Sequence, residues 1–197
     1  SWMSDKLIKN KGGLHNRVTC RLNLKPFSLK ETETYLRKNH CPWDRYQILQ
    51  AYMALGGVPF YLKKLNPKES VAQNIDRLFF DDDAPLKTEF DELYNALFAS
   101  ADSYITVVRA LSKHRQGLER HEIIDAVKYN GSNLTRILKN LEQCGFISVG
   151  QQFGNKKNGL IYRLTDFYTL FYFRFIEGNR FADTNWWSKH AKEPEVT

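Results

Sequence analysis

The sequence predicts a mainly α-helical chain, a helical bundle followed by three short helices and a β-hairpin. Three observations carry that prediction. Ser28 with Glu31 three residues on, and Asp44 ahead of Arg45, are side chains that cap helix starts. Apolar residues recur at helical spacing, as in Leu134, Ile137, Leu138 and Leu141. Two short runs of strand character, residues 146–152 and 160–164, flank a turn of Gly, Asn and Lys from Gly154 to Gly159.

Taken in order, residues 17–24 alternate polar and apolar, with Val18, Cys20, Leu22 and Leu24 on one face, which is the period of a half-buried strand closed by Pro26. A helix follows from the Ser28 capping box to about Lys38. The next starts at Asp44 and stops at Gly56-Gly57. Pro59 suits the first turn of a short helix, residues 59–65, and Asn66-Pro67-Lys68-Glu69 caps another that reaches Phe80. The acidic stretch Asp81 to Pro85 reads as a loop.

From Asp102, which can cap a helix bearing Ile105, Val108 and Leu111, the pattern changes. Gln116-Gly117-Leu118 turns the chain into a second helix, residues 120–127. Ser132 caps a third, which Gly145 ends, and the hairpin comes last. Three helices followed by a β-hairpin is a helix-turn-helix with a wing, so the fold class is a mainly α chain with a winged helix-turn-helix domain. Thr165-Asp166 caps a final aromatic helix that is apolar nearly all round. It is expected to bury against the winged helix or a partner, while Trp186 and Trp187 look exposed.

Composition narrows the function classes. Apolar residues make up 42% of the 197 residues and aromatics 14%, enough for folded cores. No apolar run approaches the ~18–20 residues of a membrane span, and the first residues lack the apolar region of a signal peptide. Cys20, Cys41 and Cys144 have neither disulfide-framework nor CxxC spacing, and His40, His114 and His121 lack metal-ligand spacing, so no metal is expected. Cys144 reads as a buried thiol rather than a nucleophile. The expected compartment is the cytoplasm. Because the chain opens Ser1-Trp2-Met3, it reads as a piece of a longer protein.

The formal net charge is +7, and it is concentrated. Residues 103–165 hold ten Lys or Arg against Glu119, Glu122, Asp125 and Glu142, which places +6 there. Such a window is an electrostatic footprint for polyanions. The third helix turns Asn133, Thr135, Arg136, Lys139, Asn140 and Gln143 outward, side-chain types that reach base edges and phosphates. Lys156 and Lys157 at the wing tip suit a neighbouring phosphate. DNA is therefore the favoured partner of these residues. A rigid protein-interaction module with a solvated third helix is the alternative.

Several segments resemble a known family. Ser1-Trp2-Met3, Gly13-Leu14-His15-Asn16-Arg17, Leu24-Lys25-Pro26-Phe27, Ser28-Leu29-Lys30-Glu31 and Gly56-Gly57-Val58-Pro59-Phe60-Tyr61-Leu62 occur in that order. Together they resemble the second half of archaeal-type P-loop ATPases of the STAND class, relatives of AAA+ proteins. The resemblance implies a remnant of the nucleotide-binding core (residues 1–27), a helical lid (28–100), a winged helix (101–165) and a C-terminal aromatic helix and tail (166–197). It also implies that Gly56, Gly57 and Pro59 lie near the adenine of bound ATP and that Arg17 acts on nucleotide. A plain helix stop and start is the other reading of the first three, and an exposed strand residue that of Arg17. No GxxxxGK[ST] segment is present, nor a strand ending in paired acids. The resemblance therefore implies that ATP and Mg²⁺ bind only in the intact protein, and that this fragment has no catalytic residue and no cofactor of its own. Alternatives are a stand-alone winged-helix transcriptional regulator, dimeric on a palindromic site, and a protein-interaction scaffold without nucleotide; a homo-oligomer fits any of them.

Overall fold

A computed structural model describes residues 24–129, 131–151, 159–178, 183–191 and 193. The expected strand at 17–24, apart from Leu24, lies outside them, as do Arg17, Lys156 and Lys157. In chain order the elements are α1 (Leu29–Lys38), α2 (Arg45–Leu55), α3 (Pro59–Leu62), α4 (Val71–Ile75), α5 (Glu89–Leu97), α6 (Ala101–Ser112), β1 (Leu118–Glu119), α7 (Arg120–Val127), α8 (Gly131–Gln143), β2 (Ile147–Gln151), β3 (Leu160–Leu164), α9 (Phe167–Phe171) and α10 (Trp186–His190). The described chain is mainly helical with a small antiparallel sheet. No helix among the described residues is long and apolar enough to cross a membrane.

The chain divides into two compact units. One comprises Pro26–Phe90 together with the chain from Phe167 onward, and the other contains Asp91–Asp166. The C-terminal segment, read as an aromatic helix and tail over 166–197, contributes α9 and α10 to the first unit.

In the first unit both foreseen caps are made. Ser28 and Glu31 exchange bonds, the Ser28 N–H donating to Glu31 Oε2 at 2.8 Å and the Glu31 N–H to Ser28 Oγ at 3.3 Å. Asp44 does the same with Gln47. The helix expected at 59–65 ends at Leu62. The cap of the next helix is Ser70 with Gln73 rather than the Asn66–Glu69 segment. Asn66 is already spent, accepting from the Lys68 N–H at 3.1 Å and donating to Glu69 at 2.7 Å. Helix α4 then widens into a π turn, Asp76–Phe80, and α9 into another, Tyr172–Ile176.

Packing of α9 on α2, and of α10 on α4 and its π turn, builds an aromatic core. Phe79 meets Phe171 at 4.7 Å between ring centroids, and Phe90 stacks on Tyr172 at 3.9 Å. The buried Tyr168 hydroxyl donates to the Leu86 carbonyl at 3.0 Å. This core corrects the expectation for the final aromatic helix, whose apolar residues face α2. It also corrects the expectation for Trp187, which is buried, with Phe171 and Phe175 each 5.0 Å away. What holds α10 is Asp76, a carboxylate only 3% exposed. It accepts from the Trp187 N–H at 2.8 Å, the Ser188 N–H at 3.1 Å and the Ser188 hydroxyl.

In the second unit α6, α7 and α8 enclose Val107, Val108, Leu111, Ile123, Leu134, Ile137 and Leu141, all essentially buried. Phe98 stacks on Tyr104 at 3.9 Å, and Tyr94 lies 4.9 Å from Phe146. The sheet order is β1-β3-β2, antiparallel throughout, with Ile147 opposite Leu164 and Leu118 opposite Tyr162. Strand β1 departs from the sequence expectation, because Leu118, read as part of a turn, pairs with β3. Two residues carry too little alternation to announce a strand. The first helix is also not capped by Asp102, which sits inside the first turn of α6. Its carboxylate there still favours the helix dipole.

Candidate functional site

Helix α8 carries the residues singled out for nucleic acid. Its core face is Leu134, Ile137, Leu138 and Leu141, and successive residues rotate by ~100°. Arg136, Lys139 and Gln143 therefore fall opposite the core, flanked by Asn133 and Thr135, and all five are exposed. Asn140 lies at the edge, half-buried, and its amide donates to the Tyr104 hydroxyl of α6 at 2.8 Å. The far end of α8 closes with paired bonds, from the Phe146 N–H to the Leu141 carbonyl and from the Gly145 N–H to that of Glu142, both 3.0 Å.

Around this face the polar side chains are already organised. Arg136 Nη2 donates to Asn133 Oδ1 at 2.8 Å, one helical turn back. Arg120, at the start of α7, reaches α8 with one nitrogen, Nη2, donating to the Gly131 carbonyl at 3.1 Å and to Thr135 Oγ1 at 2.9 Å. The Thr135 hydroxyl in turn donates to the Gly131 carbonyl at 3.1 Å. Arg120 thus ties the first turn of α8 to α7. Sequence reading counted Arg120 only as a charge, because nothing local relates it to partners eleven and fifteen positions away. Arg163 on β3 donates to the Gln116 carbonyl at 3.1 Å. Burial pushes the Cys144 thiol above its ordinary pKa of 9.0, and it stands half-buried just past α8.

The Gly-Gly-x-Pro segment sits in the first unit and has a local physical explanation. Gly56 ends α2 at φ +63°, its N–H donating to the Tyr52 carbonyl at 2.7 Å. Gly57 faces the Phe27 backbone so closely that a Cβ would fall 1.8 Å from the Phe27 carbonyl oxygen. Their contact includes a bond from the Phe27 N–H to the Gly57 carbonyl at 2.7 Å. Pro59 opens α3 and is exposed. The Tyr52 hydroxyl donates to the Phe27 carbonyl at 3.2 Å, and burial, then the nearby Glu31 charge, raises its pKa. The structure brings Gly57 against Phe27 and Gly56 near Phe167, whereas Arg17 lies outside the described residues. Among the described residues no group of three or more His, Cys, Asp or Glu side chains is placed to hold a metal ion.

Comparison with known proteins gives three findings. No family model matches the sequence. The chain is 28% identical over 185 residues to an uncharacterized protein of Methanocaldococcus jannaschii, a match that takes in 91% of this chain and 39% of that protein. The structure is similar, at a TM-score of 0.46 and 17% identity, to the Walker-type ATPase of Pyrococcus abyssi, over 87% of this chain and 49% of that one. The chain thus spans well under half the length of the curated relative and about half that of the solved structure.

Proposed function

We infer that the Asp91–Asp166 unit is a winged helix that contacts duplex DNA through α8, and that the chain is the lid and winged-helix part of a larger nucleotide-dependent ATPase of the STAND type. The observation that carries the DNA reading is the outer face of α8. Arg136 and Lys139 stand exposed opposite the buried stripe, on a helix fixed to α7 by Arg120. The run α6, β1, α7, α8, β2, β3, with sheet order β1-β3-β2, supports the winged-helix assignment, since α8 is the third helix of that run, the place of the DNA-reading helix in such a motif. The +6 window around it supplies long-range attraction to phosphates.

The ATPase part rests on the order of the segments between Ser1 and Leu62. In this reading ATP and Mg²⁺ are held by a phosphate-binding half that this chain does not supply, with Gly56, Gly57 and Pro59 near the adenine and Arg17 acting on the nucleotide. The chain itself then has no ATPase activity.

Fluorescence anisotropy of the chain with labelled mixed-sequence duplex, across a salt series, tests the DNA reading. Binding should weaken steeply with salt, log K falling by about 0.9 per phosphate neutralised for each unit of log salt. Lys139→Glu and Arg136→Glu should each weaken it. No binding at low salt sinks DNA contact and leaves the unit a protein-docking element.

A further inference from the structure

We propose that Arg136 is the base-reading residue of this face and that it selects guanine, with Asn133 as its positioning residue. The inference rests on the reading of α8 as a DNA-contacting helix and adds what that helix recognises.

Of the residues singled out on α8, Asn133, Thr135 and Arg136 lie in its N-terminal half, the part of such a helix that reaches base edges, and Asn140 lies further on at the edge of the exposed face; all are of types that read bases. Bidentate adenine recognition by asparagine needs both the carbonyl oxygen and the amide nitrogen, one for N6 and one for N7. The Asn133 oxygen already accepts from Arg136 at 2.8 Å, and the Asn140 amide already donates to Tyr104 at 2.8 Å, so either would share or give up that bond to take an adenine edge. Thr135 is held between Arg120 and the Gly131 carbonyl. All three are thus engaged within the unit, and an adenine edge has to compete with those bonds.

Arg136 is different. Its guanidinium gives one donor to Asn133 and retains the others, in a planar fork whose spacing matches guanine O6 and N7. It lies near the centre of the exposed face. The bond it donates to Asn133, one turn nearer the start of α8, restrains a long side chain before DNA arrives, so less rotamer freedom is lost on binding. Lys139, one turn further on, is a flexible point charge suited to phosphate, where it adds affinity without choice of base. Thus the two cations of α8 divide the work: Lys139 attracts any duplex, and Arg136 favours those with guanine in register.

The test is selection of binding sites from a randomised duplex library, followed by anisotropy on the selected site with its preferred guanine replaced by 7-deazaguanine, which lacks the N7 acceptor. The wild-type chain should enrich guanine at one position and lose about five-fold or more in affinity to the deaza substitution. Arg136→Ala should bind all duplexes at the mixed-sequence level with no deaza penalty. Asn133→Ala should shrink that penalty while leaving the salt slope unchanged. Lys139→Ala should weaken every duplex alike, lower the slope by about one and keep the penalty. Binding without base preference, or a deaza penalty that survives Arg136→Ala, overturns the proposal while leaving DNA contact intact. Absence of binding to any duplex overturns both.

Discussion

Replacing Asp76 with alanine should detach the C-terminal helix α10, and the size of the effect can be worked from its bonds. Asp76 is 3% exposed and accepts from two backbone N–H groups, of Trp187 and Ser188, and from the Ser188 hydroxyl. A hydrogen bond to a charged group nets about 1.5–3 kcal/mol, so losing three with α10 still in place would cost about 4.5–9 kcal/mol. A helix of five residues has a cheaper escape, which is to leave and let water satisfy its donors. The cost is then limited by re-exposing the Trp187 side chain from between Phe171 and Phe175, about 3–5 kcal/mol by analogy with deletion of a core tryptophan. Alanine also removes a carboxylate that was costly to bury, which pulls the figure toward ~3 kcal/mol. Urea unfolding gives the stability, and limited trypsin digestion at Lys189 reports whether α10 has come free. Ser188→Ala removes a single bond to the carboxylate and, at an exposed residue, should cost about 1.5 kcal/mol, roughly half the effect of Asp76→Ala. An Asp76→Ala protein that unfolds at the wild-type urea concentration, with Lys189 equally protected, refutes the reasoning.

Other perturbations have equally definite outcomes. Gly57→Ala places a methyl 1.8 Å from the Phe27 carbonyl oxygen and must break the 2.7 Å bond between these backbones, so it should lower urea stability by about 2–3 kcal/mol; an unchanged midpoint would show that the approach is not close in solution. Burial alone would raise the Glu69 pKa, but bonds from Arg77 and Asn66 outweigh it and hold it below 4.5. A carboxylate depressed on folding stabilises above its unfolded pKa and loses that contribution as pH falls through the folded one. Glu69→Gln should therefore cost about 0.5–1 kcal/mol near neutrality, a modest figure because the pair is part-exposed. Its gap from wild type should close as the pH drops below 4.5; a gap constant with pH would exclude the charge as its source. Arg120→Ala removes the donor shared by the Gly131 carbonyl and Thr135, and should raise amide exchange in the first turn of α8 while leaving Leu138 and Leu141 protected. Uniform exchange along α8 would mean that Arg120 fixes nothing.

What the sequence determined by itself is what depends on neighbours in the chain. The caps at Ser28 and Asp44, the stop at Gly56 and the stripe of α8 are all settled within three or four residues. The same holds for which side chains of α8 face outward, since helical period alone assigns Arg136 and Lys139 to the open side. Tertiary structure decided everything whose partner is remote. Trp187 passed for an exposed residue because Asp76, which receives its N–H, lies 111 positions earlier. Strand β1 exists only because Leu118 and Glu119 find β3, over forty residues on. Gly57 reads as a helix stop, yet the reason it admits no side chain is the Phe27 backbone laid against it. On α8 the sequence supplied an inventory of polar side chains, and the fold sorted them. Tyr104, 36 positions away, claims Asn140, while Arg120, 15 away, claims Thr135, which leaves Arg136 with donors to spare. The physical reason is common to all of these: hydrogen bonds and close packing are satisfied in space, and separation along the chain carries no trace of them until the core has formed.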